Sequence, residues 1–239
     1  MKRSGLLLLL LLILCYPLAG QKFMDIKDKT FNLGAKIGFN SSFPVINSLA
    51  IDGVEAENIH VQYKVGYMAS FFCRVNIEKF FIQPSISWQM FRGNLNFITP
   101  VKETSSNVPN MKNPLVELEM KSRTLEVPVL IGYNLVKEKP YGLSLMAGPV
   151  FKYNYKVDYA TLFDEQSNKY ANDSTPFGIN IAAGIGVTIG RLLLDFTYEF
   201  GLNEVRSNFT DKSSPTPVEG HIFIDKRTNV MSFALGFLF

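Results

Sequence analysis

From Thr30 to Asn40 the residues Phe31, Leu33, Ala35, Ile37 and Phe39 alternate with Thr30, Asn32, Gly34, Lys36, Gly38 and Asn40. A period of two places the first set on one face of an extended chain and the second on the other, so the segment reads as a β-strand. Val61 to Val75 repeats the pattern, with Val61, Tyr63, Val65, Tyr67, Ala69, Phe71, Cys73 and Val75 opposed to Gln62, Lys64, Gly66, Met68, Ser70, Phe72 and Arg74. Further apolar faces are Phe80, Ile82, Pro84, Ile86, Trp88 and Met90; Leu125, Val127, Val129, Ile131 and Tyr133; and Tyr141 to Tyr155 at every second residue. Three more follow: Phe177 to Ile189, Leu192 to Leu202, and the terminal set Met231, Phe233, Leu235, Phe237 and Phe239.

Eight alternating segments fit a soluble sandwich as well as a membrane barrel, and the connections discriminate. Those after the second, fourth and sixth segments are short (Asn76 to Lys79, Leu135 to Lys139, Gly190 to Arg191), whereas the other four run to roughly twenty residues. Short and long connections in strict alternation with an even strand count are the outer-membrane pattern. The expected fold is all-β: an eight-stranded antiparallel up-and-down transmembrane β-barrel, with short periplasmic turns, long extracellular loops and both termini in the periplasm. Charge on both faces of Leu115 to Arg123 places that stretch above the membrane.

Glycine gives an independent check. Gly34, Gly38, Gly66, Gly93, Gly132, Gly142, Gly148, Gly178, Gly184, Gly186, Gly201 and Gly236 all fall on the face opposite the apolar one, where a narrow barrel needs curvature and little bulk. Pro84, Pro128 and Pro149 sit mid-strand, where each removes a ladder hydrogen bond, and bulges are expected there.

Composition then restricts the setting. Apolar residues make up 47% of the chain and aromatics 13%, yet no segment after the first twenty residues is an apolar helix of spanning length. Since a backbone in lipid must satisfy its own polar groups, a closed barrel is the remaining way to span. Lys2 and Arg3, the apolar run Leu6 to Tyr16 and the small end Leu18, Ala19, Gly20 read as a secretory signal peptide. The run is shorter than the ~20 residues of a spanning helix. Residues 1–20 are therefore expected to be removed before Gln21, leaving 21–239 as one barrel domain in the cell outer membrane. Leu14 disfavours a lipoprotein site at Cys15, and Cys73 alone supports neither a disulfide nor a paired-cysteine metal site. A net charge of +3, spread among acids, carries no nucleic-acid footprint.

Candidate chemistry is sparse. The run Gly184, Ile185, Gly186, Val187, Thr188, Ile189, Gly190 misses the spacing of a nucleotide loop, and no helix follows it. His60, near Asp52 and Glu57, and His221, near Asp225, are the only histidines. A rim enzyme could use such groups, but no nucleophile, base and orienting residue fall together. The chain is expected not to be an enzyme, with no catalytic, cofactor or metal residues and no cofactor. Lys36, Lys64, Arg74 and Lys152 share the inward face with Glu126, Asp195 and Glu199. In a barrel this narrow they are expected to form a paired network that fills the lumen. The outer loops, polar at Asp164 to Lys169 and Lys212 to Pro215 but carrying Ile46, Leu49, Ile51 and Phe223, are the candidate surface for a protein or ligand partner.

Leu125, Glu126, Val127, Pro128, Val129 and Leu130, then Ala147, Gly148 and Pro149, then Gly178 to Gly186, Tyr198 to Leu202 and the terminal Phe239 resemble the PorT-like outer-membrane β-barrel proteins along nearly the whole chain after the leader. The resemblance makes Pro128 and Pro149 family hallmarks. It implies outer-membrane lipid and lipopolysaccharide around the barrel, insertion machinery that reads the terminal aromatic strand, and, through PorT itself, an accessory role in protein secretion. A filled barrel with a structural or binding role through its loops is the leading expectation, the secretion accessory the second, and the rim enzyme the third.

Overall fold

The computed structural model describes residues 30–51, 54–55, 57–98, 115–161, 170–174, 176–211 and 222–239. The expected signal peptide at 1–20, the polar loop tips at 164–169 and 212–215, and His221 lie outside the described residues.

Eleven strand segments follow one another: β1 (Phe31–Ile51), β2 (Val54–Glu55), β3 (Glu57–Ile77), β4 (Phe80–Ile98), β5 (Leu115–Glu138), β6 (Tyr141–Thr161), β7 (Tyr170–Ser174), β8 (Phe177–Ile189), β9 (Leu192–Gly201), β10 (Val205–Asp211) and β11 (Ile222–Leu238). They make one antiparallel sheet in the order β2-β1-β3-β4-β5-β6-β8-β9-β11-β10-β7, and β1 also pairs with β11. That last ladder, through Ala35↔Phe237, Ile37↔Leu235 and Phe39↔Phe233, closes the sheet and leaves no edge at membrane level. The segments β2 and β3, β7 and β8, and β9 and β10 are successive parts of single walls. The result is the closed eight-stranded antiparallel barrel that the alternation predicts.

The wall is inside-out relative to a soluble protein. Ile37 is 66% exposed and Phe71 71%, whereas Gln83, Thr124 and Glu126 are fully buried. A contiguous apolar exterior of this extent is not tolerated in water, and it suits a hydrocarbon solvent. On β6 the outward positions Leu143, Leu145, Ala147, Pro149 and Phe151 lie between Tyr141 near the turn and Tyr153. Aromatic contacts occur at both levels: Phe80 with Tyr133 (centroids 5.0 Å apart) near the turns, and Tyr153 with Phe177 (5.1 Å) towards the long connections. Two aromatic girdles around an apolar band about 25 Å tall are what an outer-membrane barrel presents to its bilayer.

Three features depart from the sequence expectations. The strands run well past the alternating segments: β1 continues from Asn40 to Ile51, still paired with β11 as far as Ile51↔Ile222. About ten residues per strand suffice to cross a bilayer, so the outer half of several strands stands in water, where neither face need be apolar. The bulges expected at Pro84, Pro128 and Pro149 are absent. Pairing lapses beside Pro84 and Pro128 but resumes in the same register, from Pro84↔Val129 to Ser87↔Glu126 and from Pro128↔Val150 to Ile131↔Ala147, while Pro149↔Ile181 lies in an unbroken run. A proline removes one donor without displacing its Cα, and the three stand close together on adjacent strands. Register shifts occur instead between Lys64 and Tyr67 and between Arg123 and Thr124, among other places. The third departure is Lys64 itself. The shift sets it opposite Arg92, and its side chain is 42% exposed beside Glu119, outside the lumen.

Two inward glycines have a specific use. A Cβ on Gly132 would stand 2.0 Å from Cζ of Phe81, and one on Gly34 2.3 Å from Cζ of Phe72. Each ring lies flat across the glycine of the neighbouring strand and fills the lumen there. Gly132→Val should therefore destabilise the barrel by about 1–3 kcal/mol, the usual cost of overpacking. Phe81→Ala in the same chain should recover part of that loss, as read by urea unfolding in lipid vesicles. A Gly132→Val barrel as stable as the parent would refute the packing argument.

Candidate functional site: the lumen and its outer mouth

The end of the lumen nearest the short turns is closed by side chains. Phe72, Leu193 and Leu238 form one buried apolar cluster, and Phe81, Leu130, Met146, Val150 and Ala182 form another. Phe72 belongs to the predicted inward set. Among them lies Arg74, whose Nε donates to Oε1 of Gln83 at 2.8 Å and whose guanidinium sits 4.2 Å from the centroid of the Phe81 ring. The direct contacts of Arg74 are thus an amide and an aromatic face.

Higher in the barrel the predicted ion pairs form. Lys36 Nζ is 3.1 Å from Oδ2 of Asp195. Lys152 Nζ is 2.9 Å from Oε1 of Glu126 and 2.5 Å from Oε2 of Glu199, so one ammonium holds two carboxylates from different walls. Amides extend the group: Gln89 Nε2 donates to Glu126, Asn40 Nδ2 to Gln89 Oε1 at 2.8 Å, and Asn180 Nδ2 to Glu199 Oε2 at 3.2 Å. Counted with Arg74 below them, the buried ionisable residues Lys36, Lys152, Glu126, Asp195 and Glu199 sum to zero formal charge. A gap of about 30 Å³ between Lys36 and Glu199 has room for one or two waters. The lumen is a filled column, polar above and apolar below.

Above Lys152 a chamber of about 90 Å³ opens, its walls including Ser42, Phe91, Met120, Asn154, Asn203 and Lys226. Lys226 Nζ lies 3.7 Å from the Met120 sulfur. At the same level the wall between β8 and β9 is completed by a side chain. Asn203 accepts from Ile179 N–H through Oδ1 at 2.7 Å and donates through Nδ2 to the Phe177 carbonyl at 3.3 Å. Its place in the sequence, after the last alternating residue Leu202, gives no sign of this role.

The candidate rim residues are not brought together. His60 is exposed on β3; Asp52 and His221 are outside the described residues, as is the side chain of Glu57; and Asp225 lies 3.6 Å from Arg206 Nε. Among the described residues no group of His, Cys, Asp and Glu could hold a metal ion. No described helix is long and apolar enough to cross a membrane.

A family model described as the outer membrane protein beta-barrel domain matches residues 19–207. The chain belongs to that family. A comparison with curated protein sequences finds no match. Among solved structures, OprG of Pseudomonas aeruginosa is similar in fold, with a TM-score of 0.56 at 9% identity over 88% of this chain and 97% of that one. Weaker likenesses are the attachment invasion locus protein Ail of Yersinia pestis, solved with the heparin analogue sucrose octasulfate (0.39; 12%; 88% and 100%), and the Escherichia coli outer membrane protease OmpT (0.41; 10%; 91% and 100%). The likeness to OprG, at 9% identity, is one of fold and assigns no activity to this outer-membrane barrel.

Removing one member of the Lys152 group should expose its energetics. Lys152→Met leaves two buried carboxylates without a cation and should lower stability by about 3–5 kcal/mol. Adding Glu126→Gln and Glu199→Gln should restore most of it. Urea unfolding in vesicles measures both, and a triple variant no more stable than Lys152→Met would contradict the assignment.

Proposed function

We propose that this barrel is a non-conducting outer-membrane scaffold that acts through its outer end, in a structural or binding role. The observation that carries the reading is the lumen itself: a neutral, hydrogen-bonded column resting on the Phe72, Leu193 and Leu238 cluster offers no aqueous path. Eight strands enclose room only for side chains or one small ligand. The outer ends of the strands complement that closure, because β4 and β5 remain paired to Ile98↔Leu115 and β5 and β6 to Leu118↔Thr161. Such walls give the long connections a rigid base, and loops on rigid scaffolds commonly bind.

In planar lipid bilayers the purified protein is expected to give no stepwise ion conductance, while migrating on gels as a heat-modifiable barrel. Stable unitary conductance from the folded species would overturn the reading.

A role as a secretion accessory is a second reading, favoured by the likeness of Leu125–Leu130 and Ala147–Pro149 to PorT-like barrels. Deleting the gene should then deplete specific exported proteins from the medium. An unchanged set of secreted proteins would remove this reading and leave the first intact.

A further inference from the structure

Five cations gather on the outer surface of four adjacent strands. Lys64 of β3 stands opposite Arg92 of β4, Arg92 opposite Lys121 of β5, and Arg123 of β5 opposite Lys156 of β6. Phe91, Gly93, Met120, Ser122 and Val157 line the chamber inside, together with part of Arg92; Lys121, Arg123 and Lys156 alternate with these and face outward, and the Arg92 guanidinium lies towards the outward Tyr67 ring. Like charges directly opposite on neighbouring strands destabilise a sheet, and here two such juxtapositions run in one row with a third beside it. Glu119 lies among them, 3.4 Å from Lys121 and 3.9 Å from Lys64. The row ends on Asp158 opposite Lys121. Lys121 and Lys64 keep 47% and 42% of their side chains exposed.

The height of this cluster suggests its counter-charge. Beneath it lie Tyr67, Trp88, Tyr153 and Tyr155. Trp88 Nε1 donates to Tyr155 Oη at 2.7 Å, and the Arg92 guanidinium is 5.9 Å from the Tyr67 ring centroid. Tyr and Trp mark the membrane–water interface, so cations one to four residues further along the same strands stand at headgroup level, at the end of the barrel that carries the long connections. Guanidinium forks are suited to phosphate oxygens, with lysines beside them as point charges.

We propose that Arg92, Lys121, Arg123 and Lys156 form a binding surface for the phosphate groups of a phosphorylated lipid in the outer leaflet. The occupant lies against the wall of β4, β5 and β6, its chains on the apolar band and its phosphates among the cations.

The test titrates the full barrel in neutral detergent with bis-phosphorylated lipid A, and in parallel with the same lipid stripped of its phosphates. At about 1 kcal/mol per basic residue, changing all four to Gln should weaken binding of the phosphorylated lipid on the order of a thousandfold. Arg92→Gln with Lys121→Gln, and Arg123→Gln with Lys156→Gln, should each take part of that loss, while heat-modifiable migration reports that every variant is folded. Lys79→Gln with Lys137→Gln, at the turn end, should leave binding unchanged. Equal affinity of parent and four-residue variant would overturn the proposal, as would equal binding of the phosphate-free lipid. Displacement of the lipid by inorganic pyrophosphate at matching concentration would assign the surface to a soluble phosphate and overturn it too.

Discussion

Closure of β1 on β11 is the condition on which the rest of the structure depends. An unpaired strand edge in hydrocarbon leaves N–H and C=O groups with no partner, at several kcal/mol for each. The seam from Gly34↔Leu238 upward satisfies those groups, and the last hydrogen bond of the wall, from Phe239 N–H to the Leu33 carbonyl at 2.9 Å, is made by the final residue. The terminal aromatic strand is therefore a structural member as well as a surface feature. Once the sheet is shut, its two faces meet two solvents, lipid outside and a narrow interior within, and the alternation of the sequence follows from that division.

A narrow interior imposes a second constraint. Its side chains must fill the space without leaving polar groups stranded, because a buried charge without a partner is costly. The barrel meets this by zoning. Near the turns Phe72 and Phe81 lie across Gly34 and Gly132, while in the middle and above, charges are balanced and linked by Asn40, Gln89 and Asn180. Both zones occupy the interior, one by bulk and the other by pairing.

The sequence revealed the membrane-level part of this architecture because that part is where the two solvents differ. Residue by residue, the outward faces, the short turns and the inward set of Lys36, Arg74, Lys152, Glu126, Asp195 and Glu199 were legible, whereas which cation meets which acid was not. Beyond the membrane that contrast vanishes, so the outer half of β1 from Ser41 to Ile51 read as loop although its ladder continues. Lys64 was misplaced for a related reason: alternation counts residues, and the register shift before Tyr67 changes the face without changing the count. The prolines misled in the opposite direction, since a missing donor is visible in sequence whereas the preserved register around it is not. Asn203 and the row Lys64, Arg92, Lys121 depend on which strands are neighbours, a relation that only the closed sheet supplies.

The charged interior also bears on how the barrel finds one register. Replacing a buried ion pair by apolar residues of similar volume often costs nothing, so the Lys152 group is poorly explained as a source of net stability. Its geometry suggests a different contribution. Lys152 on β6 contacts Glu126 on β5 and Glu199 on β9, and Lys36 on β1 contacts Asp195 on β9, so the pairs tie walls that are not all neighbours in the ladder. A one-residue slip of a strand exchanges its two faces, which here would move Glu126 or Asp195 into lipid and bring Leu125 or Leu194 inward. The penalty for that exchange exceeds anything a purely apolar lumen could impose. The charges thus act chiefly against the wrong barrels, leaving the outer ends of the strands free to differ in sequence without loss of the fold.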